Sequence, residues 1–433
     1  MFTRDGTQPQ GSTTIAGRRR RLRRRPIVMV ATVLAALGLL TGPGSAAAQE
    51  SSSTATAWRI TDLGALAGFT RSDAVAVSGS VVVGNGYRSG RSHAFAFDLA
   101  VTPPRFVDLG MLSGFDASTA TAVSGRVVVG YVSNSVPDAM HAFAYDLAAA
   151  RPRMRDLGTL PDHPFSRAVA VSGRLVVGVA ADDLGHPLFH SFAYDLAATY
   201  PHMVDLGTLG CANDTEAAAV SGRIVVGLAY TCDVDPFHAF VEDLGAARPQ
   251  ITDLTPGEFA LASAATAVSG RLVVGWRQTA VFVTRAFVYD LAADSPRMRG
   301  LGTLGGSNSR ASAVSGRVVV GSADRATGPS HAFAYDLAAT TPRMRDLGSL
   351  GGYSEATAVS GRVVVGDAEK PAGSFRTHGF VFDLAAGTLG MVDLGTLGGR
   401  QSHAAAVSGS VIAGWARTSA GQQHAVVWRR VTS

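Results

Sequence analysis

The sequence of 433 residues lacks the short motifs of the common enzyme classes. It has no Gly-x-Ser-x-Gly elbow, no phosphate-binding glycine loop, no His-Glu-x-x-His zinc motif and no calcium loop rich in aspartate. We therefore expect neither a metal nor a cofactor. Any catalysis would depend on side chains that the fold brings together from separate parts of the chain.

Long hydrophobic runs are also scarce. Ile27–Leu40 is the longest, and it is shorter than the stretch of about 20 apolar residues that a membrane helix needs. It follows seven arginines within Arg18–Arg25 and precedes three alanines, Ala46–Ala48, which is the pattern of a signal peptide. We predict a signal peptide at 1–48, a linker at 49–57 and a repeat domain at 58–433. The protein is then secreted, extracellular and without a membrane span after cleavage.

Cysteine is nearly absent, with Cys211 and Cys232 the only two. Both fall in loops of one repeat, and chain direction places these loops on one face. Because export leads to an oxidising compartment, the pair predicts a disulfide rather than two free thiols.

A strong net charge is absent once the signal peptide is removed. The whole chain has 38 basic and 33 acidic residues, of which residues 1–48 hold eight arginines and one aspartate. The remaining 30 basic and 32 acidic residues give a net charge near −2. Nucleic-acid binding, which requires a basic face, is therefore not expected.

The sequence does contain a repeat of 46–49 residues. A step close to Asp-Leu-Gly begins at Asp62, Asp108, Asp156, Asp205, Asp253, Gly300, Asp346 and Asp393. Each step is followed by a Val-Ser-Gly turn, with its serine at Ser78, Ser124, Ser172, Ser221, Ser269, Ser315, Ser360 and Ser408. A phrase close to His-Ala-Phe completes each of the eight copies.

Each copy has the periodicity of four strands. In the copy that includes His331–Gly366, small residues precede the Ser-Gly turn, an apolar run follows it, and Phe333 and Tyr335 alternate in a third strand. Pro342–Leu347 reads as an exposed fourth strand, and no apolar face recurs at helical spacing. The period favours a propeller blade over a helical repeat.

The ends of the repeat array complement each other. The array begins with a lone fourth strand, Trp58–Leu63, and its last copy has only three strands. We predict an all-β fold, an eight-bladed β-propeller of four-stranded antiparallel blades, closed by the N-terminal strand pairing with the last three C-terminal strands. We expect it to be a monomer.

The repeated phrases resemble a known family. DLGTLGG at Asp393–Gly399, AVSGRVVVG at Ala358–Gly366 and HAFAYDL at His331–Leu337 are similar to the bacterial extracellular repeats called the HAF family. The order of strands within a copy also resembles Kelch blades. The resemblance covers about Asp62–Trp428 and implies a secreted repeat protein without implying an activity.

Histidine recurs at equivalent positions in seven copies, at His93, His141, His190, His238, His331, His378 and His424. A group required in nearly every copy indicates a structural role, such as a hydrogen bond to the Asp-Leu-Gly step. The alternative is a ring of imidazoles that binds metal. Equivalent positions around a wide propeller lie too far apart for that, so we predict no metal site.

Function is expected where the repeat symmetry is broken. We name the residue that enters the first strand of each copy the mouth residue, because these positions would surround the central channel. They are Asp73, Thr119, Arg167, Glu216, Ala264, Arg310, Glu355 and His403. The six charged or titratable ones, Asp73, Arg167, Glu216, Arg310, Glu355 and His403, predict a polar ligand site; the alternative is a solvated rim of neutralising charges.

A second varied position follows the glycine of each second strand. Tyr131, Trp276 and Trp415 stand there, and their rings would suit a sugar or another flat ligand, with packing beneath the loops as the alternative. Glu242 is a further break, since it stands where the other copies have an aromatic residue.

These observations predict a secreted propeller that binds an extracellular carbohydrate, small molecule or protein at the channel mouth. The alternative is an extracellular hydrolase, lyase or cyclase that uses Glu216, Glu355 and His403 as acid and base groups. The fold alone does not decide between a binding module and an enzyme.

Overall fold

The computed structural model describes residues 57–134, 139–183, 188–210, 214–231, 237–256, 261–374, 376–386 and 390–431. The predicted signal peptide, Cys211 and Cys232 lie outside these residues. The expected all-β character is confirmed, since α1 (Leu63–Ala67) is the one helix among the described residues. No helix in this part of the chain has the length and apolar character needed to cross a membrane.

The strands form antiparallel sheets of four, which we number 1–8 in chain order. The chain enters through β1 (Ala57–Asp62). Sheets 1–4 contain β2 (Arg71–Ser78), β3 (Val81–Arg88), β4 (Arg91–Asp98), β5 (Arg105–Asp108); β6 (Ala117–Ser124), β7 (Val127–Ser133), β8 (Met140–Asp146), β9 (Met154–Gly158); β10 (Phe165–Ser172), β11 (Leu175–Ala181), β12 (Phe189–Asp195), β13 (Met203–Asp205); and β14 (Thr215–Ser221), β15 (Ile224–Tyr230), β16 (Phe237–Asp243), β17 (Thr252–Asp253).

Sheets 5–8 contain β18 (Ser263–Ser269), β19 (Leu272–Ala280), β20 (Val283–Asp290), β21 (Met298–Gly300); β22 (Gly305–Ser315), β23 (Val318–Arg325), β24 (His331–Asp336), β25 (Met344–Asp346); β26 (Ser354–Ser360), β27 (Val363–Glu369), β28 (Thr377–Asp383), β29 (Val392–Asp393); and β30 (Gly398–Ser408), β31 (Val411–Thr418), β32 (Gln423–Val431), with β1 as the fourth strand of sheet 8. Sheets 2 and 3 are also joined by one parallel bridge, between Met140 and Phe165.

The repeated serine and glycine set the first hairpin of each sheet. In sheet 7, Ser360 pairs with Val363, so the two turn residues are Gly361 and Arg362, one position later than the predicted Ser-Gly turn. Gly361 has φ +58°, in the left-handed region where a side chain is unfavourable. The serine is thereby left at the end of the strand, where its side chain is available to the next sheet.

That serine joins successive sheets. Its hydroxyl accepts a hydrogen bond of 2.9–3.1 Å from the turn glycine N–H of the following sheet, as in Gly125 N–H to Ser78 and Gly409 N–H to Ser360. The eighth bond runs from Gly79 N–H to Ser408 at 3.0 Å, so the series returns from sheet 8 to sheet 1.

The apolar core is divided among the interfaces between sheets. Among the described residues, eight buried clusters each combine residues of two successive sheets, and the aliphatic second strands and the phenylalanines of the third strands dominate them. One cluster packs Val82 and Phe95 of sheet 1 against Ala413, Ala425 and Val427 of sheet 8. The core therefore also continues from the last sheet to the first.

The predicted pairing of the chain ends is present. β1 runs antiparallel to β32, with Ala57 opposite Val431 and Asp62 opposite Val426. The prediction that this strand reaches residue 63 is wrong, because Asp62 caps α1 by accepting a 2.9 Å hydrogen bond from Ala65 N–H. The fourth strand predicted at Pro342–Leu347 is also shorter, at Met344–Asp346, since proline has no N–H to donate.

Candidate functional site

Each of the recurring histidines lies beside an aspartate of an Asp-Leu-Gly step, as predicted for a structural role. Nδ1 of each lies 2.8–3.3 Å from a carboxylate oxygen of an Asp-Leu-Gly aspartate, and the pairs are His93 with Asp108, His141 with Asp156, His190 with Asp205, His238 with Asp253, His331 with Asp346, His378 with Asp393 and His424 with Asp62. Six of the pairs are 15 residues apart, and the seventh joins the two ends of the chain. No group of three or more potential ligands able to hold a metal occurs among the described residues.

One copy has lost both members of this pair. Arg285 replaces the histidine and Gly300 replaces the aspartate, again 15 residues apart. Each substitution is visible in the sequence, but only the contact in the other sheets shows that the two substitutions remove the two partners of one interaction. Sheet 5 is therefore the sheet in which this link between third and fourth strands is missing.

The two sets of varied positions are cross-strand neighbours. Each mouth residue lies directly opposite the varied residue of the second strand, and the pairs are Asp73 with Asn85, Thr119 with Tyr131, Arg167 with Val179, Glu216 with Leu228, Ala264 with Trp276, Arg310 with Ser322, Glu355 with Asp367 and His403 with Trp415. Two predicted sets of site residues thus form one set of eight pairs.

A bulge in every first strand creates this register. In sheet 8 the pairing shifts by one residue between Ala404 and Ala406. The carbonyl of His403 then points at Gly414, where an added Cβ would lie deep inside van der Waals contact with that oxygen. Glycine at this position of the second strand allows the bulge, and the bulge directs the mouth residue.

The mouth residues of sheets 7, 8 and 1 come together in one cluster, which we name the acidic cluster: Asp73, Tyr353, Glu355, Asp367, His403 and Trp415. His403 Nδ1 lies 2.5 Å from Asp367 Oδ2, and Ala404 N–H donates to the other oxygen at 3.3 Å. The His403 ring stacks on Trp415 with centroids 5.9 Å apart. Sequence reasoning selected Glu355, His403, Trp415 and Asp73 but not Asp367 or Tyr353.

Three carboxyl groups determine the electrostatics of the acidic cluster. Burial alone would lower the pKa of His403, but its hydrogen bond with Asp367 and the charges of Asp367, Glu355 and Asp73 raise it. Burial raises the pKa of Asp73, against the opposing effects of Arg71 and Asn85. Burial and a hydrogen bond to Glu355 raise the pKa of the Tyr353 hydroxyl, which therefore stays a donor to that carboxylate. The carboxyl groups of Asp367 and Glu355 are thereby held beside His403 and Tyr353, where a ligand hydroxyl could donate to them.

The other predicted residues lie in separate groups. The guanidinium of Arg310 lies 4.3 Å from the ring centroid of Trp276, between sheets 5 and 6. Tyr131 and Arg167 line one cavity at sheets 2 and 3, where Arg167 lies over Phe189. Glu216 lies in β14, the first strand of sheet 4, and is not part of the acidic cluster.

Glu216 interacts with another carboxyl group rather than with the acidic cluster. Burial raises the pKa of Asp214 to about 6; the charge of Glu216 contributes to this increase, and a hydrogen bond from Phe189 N–H and the charge of His190 oppose it. Among the described residues, no hydrogen bond or ion pair joins Glu216 to Glu355.

Glu242 lies in the interface between sheets 3 and 4. It is 3% exposed, and its Oε2 has no hydrogen-bond partner among the described residues. Burial, with a smaller effect of Asp205, raises its pKa to about 7. At the equivalent site Arg155 donates to the Tyr194 hydroxyl at 2.9 Å, whereas Val204 takes the place of that arginine beside Glu242.

Comparison with known proteins identifies the fold. No family model matches the sequence, and no curated protein matches it. Among solved structures, a puromycin hydrolase is 13% identical with a TM-score of 0.51, covering 80% of this chain and 58% of its own. A prolyl endopeptidase structure is 17% identical with a TM-score of 0.50, covering 73% of this chain and 48% of its own.

The β-propeller domain of a trilobed protease from Pyrococcus furiosus is 10% identical with a TM-score of 0.47, covering 75% of this chain and 98% of its own. The chain thus spans about half the length of the puromycin hydrolase and the prolyl endopeptidase. At these identities the likeness concerns the fold alone, and the fold is of the β-propeller type.

Proposed function

We propose that the protein is a secreted, closed, eight-bladed β-propeller of the HAF-repeat type. The cyclic series of serine hydrogen bonds and the eight inter-sheet cores support the count and the closure. The arginine-rich N-terminal segment, its apolar run and the three alanines support export.

We propose further that the acidic cluster binds a neutral carbohydrate. The observation that carries this proposal is the His403 and Trp415 stack beside the carboxyl groups of Asp73, Glu355 and Asp367. Three successive sheets supply these groups.

Carbohydrate chemistry fits this arrangement. Sugar hydroxyls are hydrogen-bond donors, and carboxylates are strong acceptors for them. The apolar face of a pyranose ring packs on an indole, and Trp415 is half-buried, so part of its ring is available. The aromatic face and the acceptors occur in one place, as a compact polar ligand site requires.

The test is a thermal-shift screen of the protein without residues 1–48 against a panel of neutral oligosaccharides. A ligand that binds only the folded state raises the melting temperature, and its affinity is then measured by calorimetry. Trp415→Ala and Glu355→Gln should each weaken binding at least tenfold. Trp276→Ala, at the equivalent position of sheet 5, is the matched control and should change affinity less than twofold. Equal losses in both tryptophan variants, or no stabilising sugar, would contradict the proposal.

The enzyme alternative is examined with the same samples. Glu355 and His403 remain neighbours in the acidic cluster, and they are the acid and base groups that this alternative retains. Chromatography of each stabilising oligosaccharide after prolonged incubation shows whether it is cleaved. Cleavage abolished by Glu355→Gln, with binding retained, would make the protein a hydrolase or lyase.

A further inference from the structure

The phrase Arg-Met-Arg occurs three times, at 153–155, 297–299 and 343–345, before the steps that begin at Asp156, Gly300 and Asp346, and it directs its side chains to different interfaces. In an extended segment alternate side chains point to opposite sides. Met298 accordingly packs into the core between sheets 4 and 5, and Met344 into the core between sheets 5 and 6. The flanking arginines point the other way, towards the next sheet in chain order.

The second and third copies line two equivalent grooves, at successive interfaces. The groove between sheets 5 and 6 has a volume of about 470 Å³ and is lined by Arg297, Arg299 and Arg317. The groove between sheets 6 and 7 has a volume of about 540 Å³ and is lined by Arg343, Arg345 and Arg362. We name these two grooves, with their six arginine side chains, the arginine grooves.

The arginines are in part fixed by packing. The guanidinium of Arg345 lies 5.0 Å from the ring centroid of Phe382, and that of Arg299 lies 5.9 Å from the centroid of Tyr335. Arg362 donates to the carbonyl of Leu384 at 3.3 Å. Each of these contacts leaves other N–H donors of the guanidinium group for a ligand.

The positive charge of the arginine grooves is not balanced by the described residues. Asp290 and Asp336 are the only acidic residues lining them, so six guanidinium groups face two carboxylates. Arg362 lies 4.0 Å from Asp336, whereas Arg297 and Arg343 make no ion pair with any described residue. The equivalent groove between sheets 7 and 8 is instead lined by residues such as Trp58, Val363 and Val392.

We propose that the arginine grooves bind an acidic polysaccharide through its carboxylate or sulfate groups. Guanidinium groups donate two parallel hydrogen bonds to either anion, and two repeated grooves match a polymer that carries a charge at regular intervals. The net charge near −2 outside residues 1–48 favours such a local site over a nucleic-acid duplex, which is held by a broad basic face. This site is separate from the proposed neutral-carbohydrate site.

The experiment measures binding of immobilised heparin and polygalacturonate, with dextran as the neutral polymer and duplex DNA as the competing polyanion. We expect heparin, polygalacturonate or both to bind, with affinity falling as salt rises, because salt screens exposed charges. Binding of polygalacturonate shows that carboxylates are sufficient, whereas binding of heparin without polygalacturonate shows that sulfate groups are required. Arg297→Gln with Arg343→Gln should lower the affinity at least tenfold.

Three controls keep the outcomes separate. Arg91→Gln with Arg248→Gln removes the same charge from exposed arginines outside the grooves and should change affinity less than twofold. Arg297→Lys with Arg343→Lys keeps the charge but not the paired donors and should give an intermediate loss. Trp415→Ala should leave polyanion binding unchanged even if it abolishes neutral-sugar binding. Equal losses in both glutamine doubles, tighter binding of DNA, or no polyanion binding would overturn the proposal.

Discussion

A single buried carboxyl group makes stability depend on pH. The pKa of Glu242 is about 7 in the folded protein against an ordinary 4.5, so between these values the folded state holds a proton that the unfolded chain releases. Stability therefore falls as pH rises from about 4.5 to 7, and the full penalty is present above 7. We expect Glu242→Gln to stabilise the protein by about 1–3 kcal/mol at pH 8 and to have little effect at pH 4.

The measurement is urea unfolding of both proteins at pH 4, 6 and 8. Asp294→Asn, which removes an exposed carboxyl group, serves as the control and should not reproduce the trend. A gain of the same size at pH 4 and pH 8 would mean that the charge of Glu242 is not the cause.

The missing histidine and aspartate pair of sheet 5 can be restored. Arg285→His with Gly300→Asp recreates the contact of the other sheets, and a Cβ at Gly300 meets nothing within 4 Å. The double variant should be more stable than the sum of the two single changes by about 0.5–1.5 kcal/mol, the usual contribution of one such hydrogen bond. Calorimetric unfolding at pH 6 of all four proteins measures this coupling. Strict additivity would show that the pair contributes nothing to stability.

At the scale of the strand, the bulge beside each mouth residue requires glycine on the neighbouring strand. Gly414→Ala places a methyl group against the His403 carbonyl and should cost about 1–3 kcal/mol through displacement of the bulge. Binding at the acidic cluster should weaken in the same variant, because His403 moves with the bulge. Thermal unfolding and calorimetry test both effects.

Gly300→Ala is the matched control, since the added methyl group has space, and it should change stability by less than about 0.5 kcal/mol. Retained affinity in a destabilised Gly414→Ala protein would show that the bulge does not direct His403.

The bulge makes the cross-strand register unpredictable from the sequence. Strand order and the repeat follow from spacing and alternation, because both are local patterns. Counting back from the observed Gly361-Arg362 turn without a bulge would place Glu355 opposite Ala368, whereas the bulge places it opposite Asp367. A shift of one residue changes the face on which a side chain lies, and no residue within the first strand indicates the position of the shift. Asp367 stands at the varied position of the second strand, where sequence reasoning selects only aromatic residues, and the bulge brings it opposite Glu355. Tyr353 lies outside both sets of varied positions.

For the whole molecule, the pairing of β1 with β32 should decide global stability. Deleting residues 49–61 exposes the hydrogen-bonding edge of β32 and leaves Trp428 and the rest of sheet 8 with three strands. We expect a lower melting temperature and association of the shortened protein, measured by calorimetry and size-exclusion chromatography. An unchanged melting temperature with monomeric elution would show that β1 is dispensable.

The same pairing holds residues 57 and 431 on neighbouring strands, a Cα separation of about 5 Å. In a variant reduced to residues 57–431, these two residues can then be joined by a short hairpin loop, and new ends can be opened in the exposed loop between β24 and β25. Such a circular permutant would divide sheet 6 into three strands and one, as sheet 8 is divided now. We expect it to fold with a melting temperature close to that of the parent protein, and failure to fold would assign the present seam a role in folding beyond closing the sheet. The fold would then not require the chain to begin and end in sheet 8, and any sheet of the repeat could hold both ends.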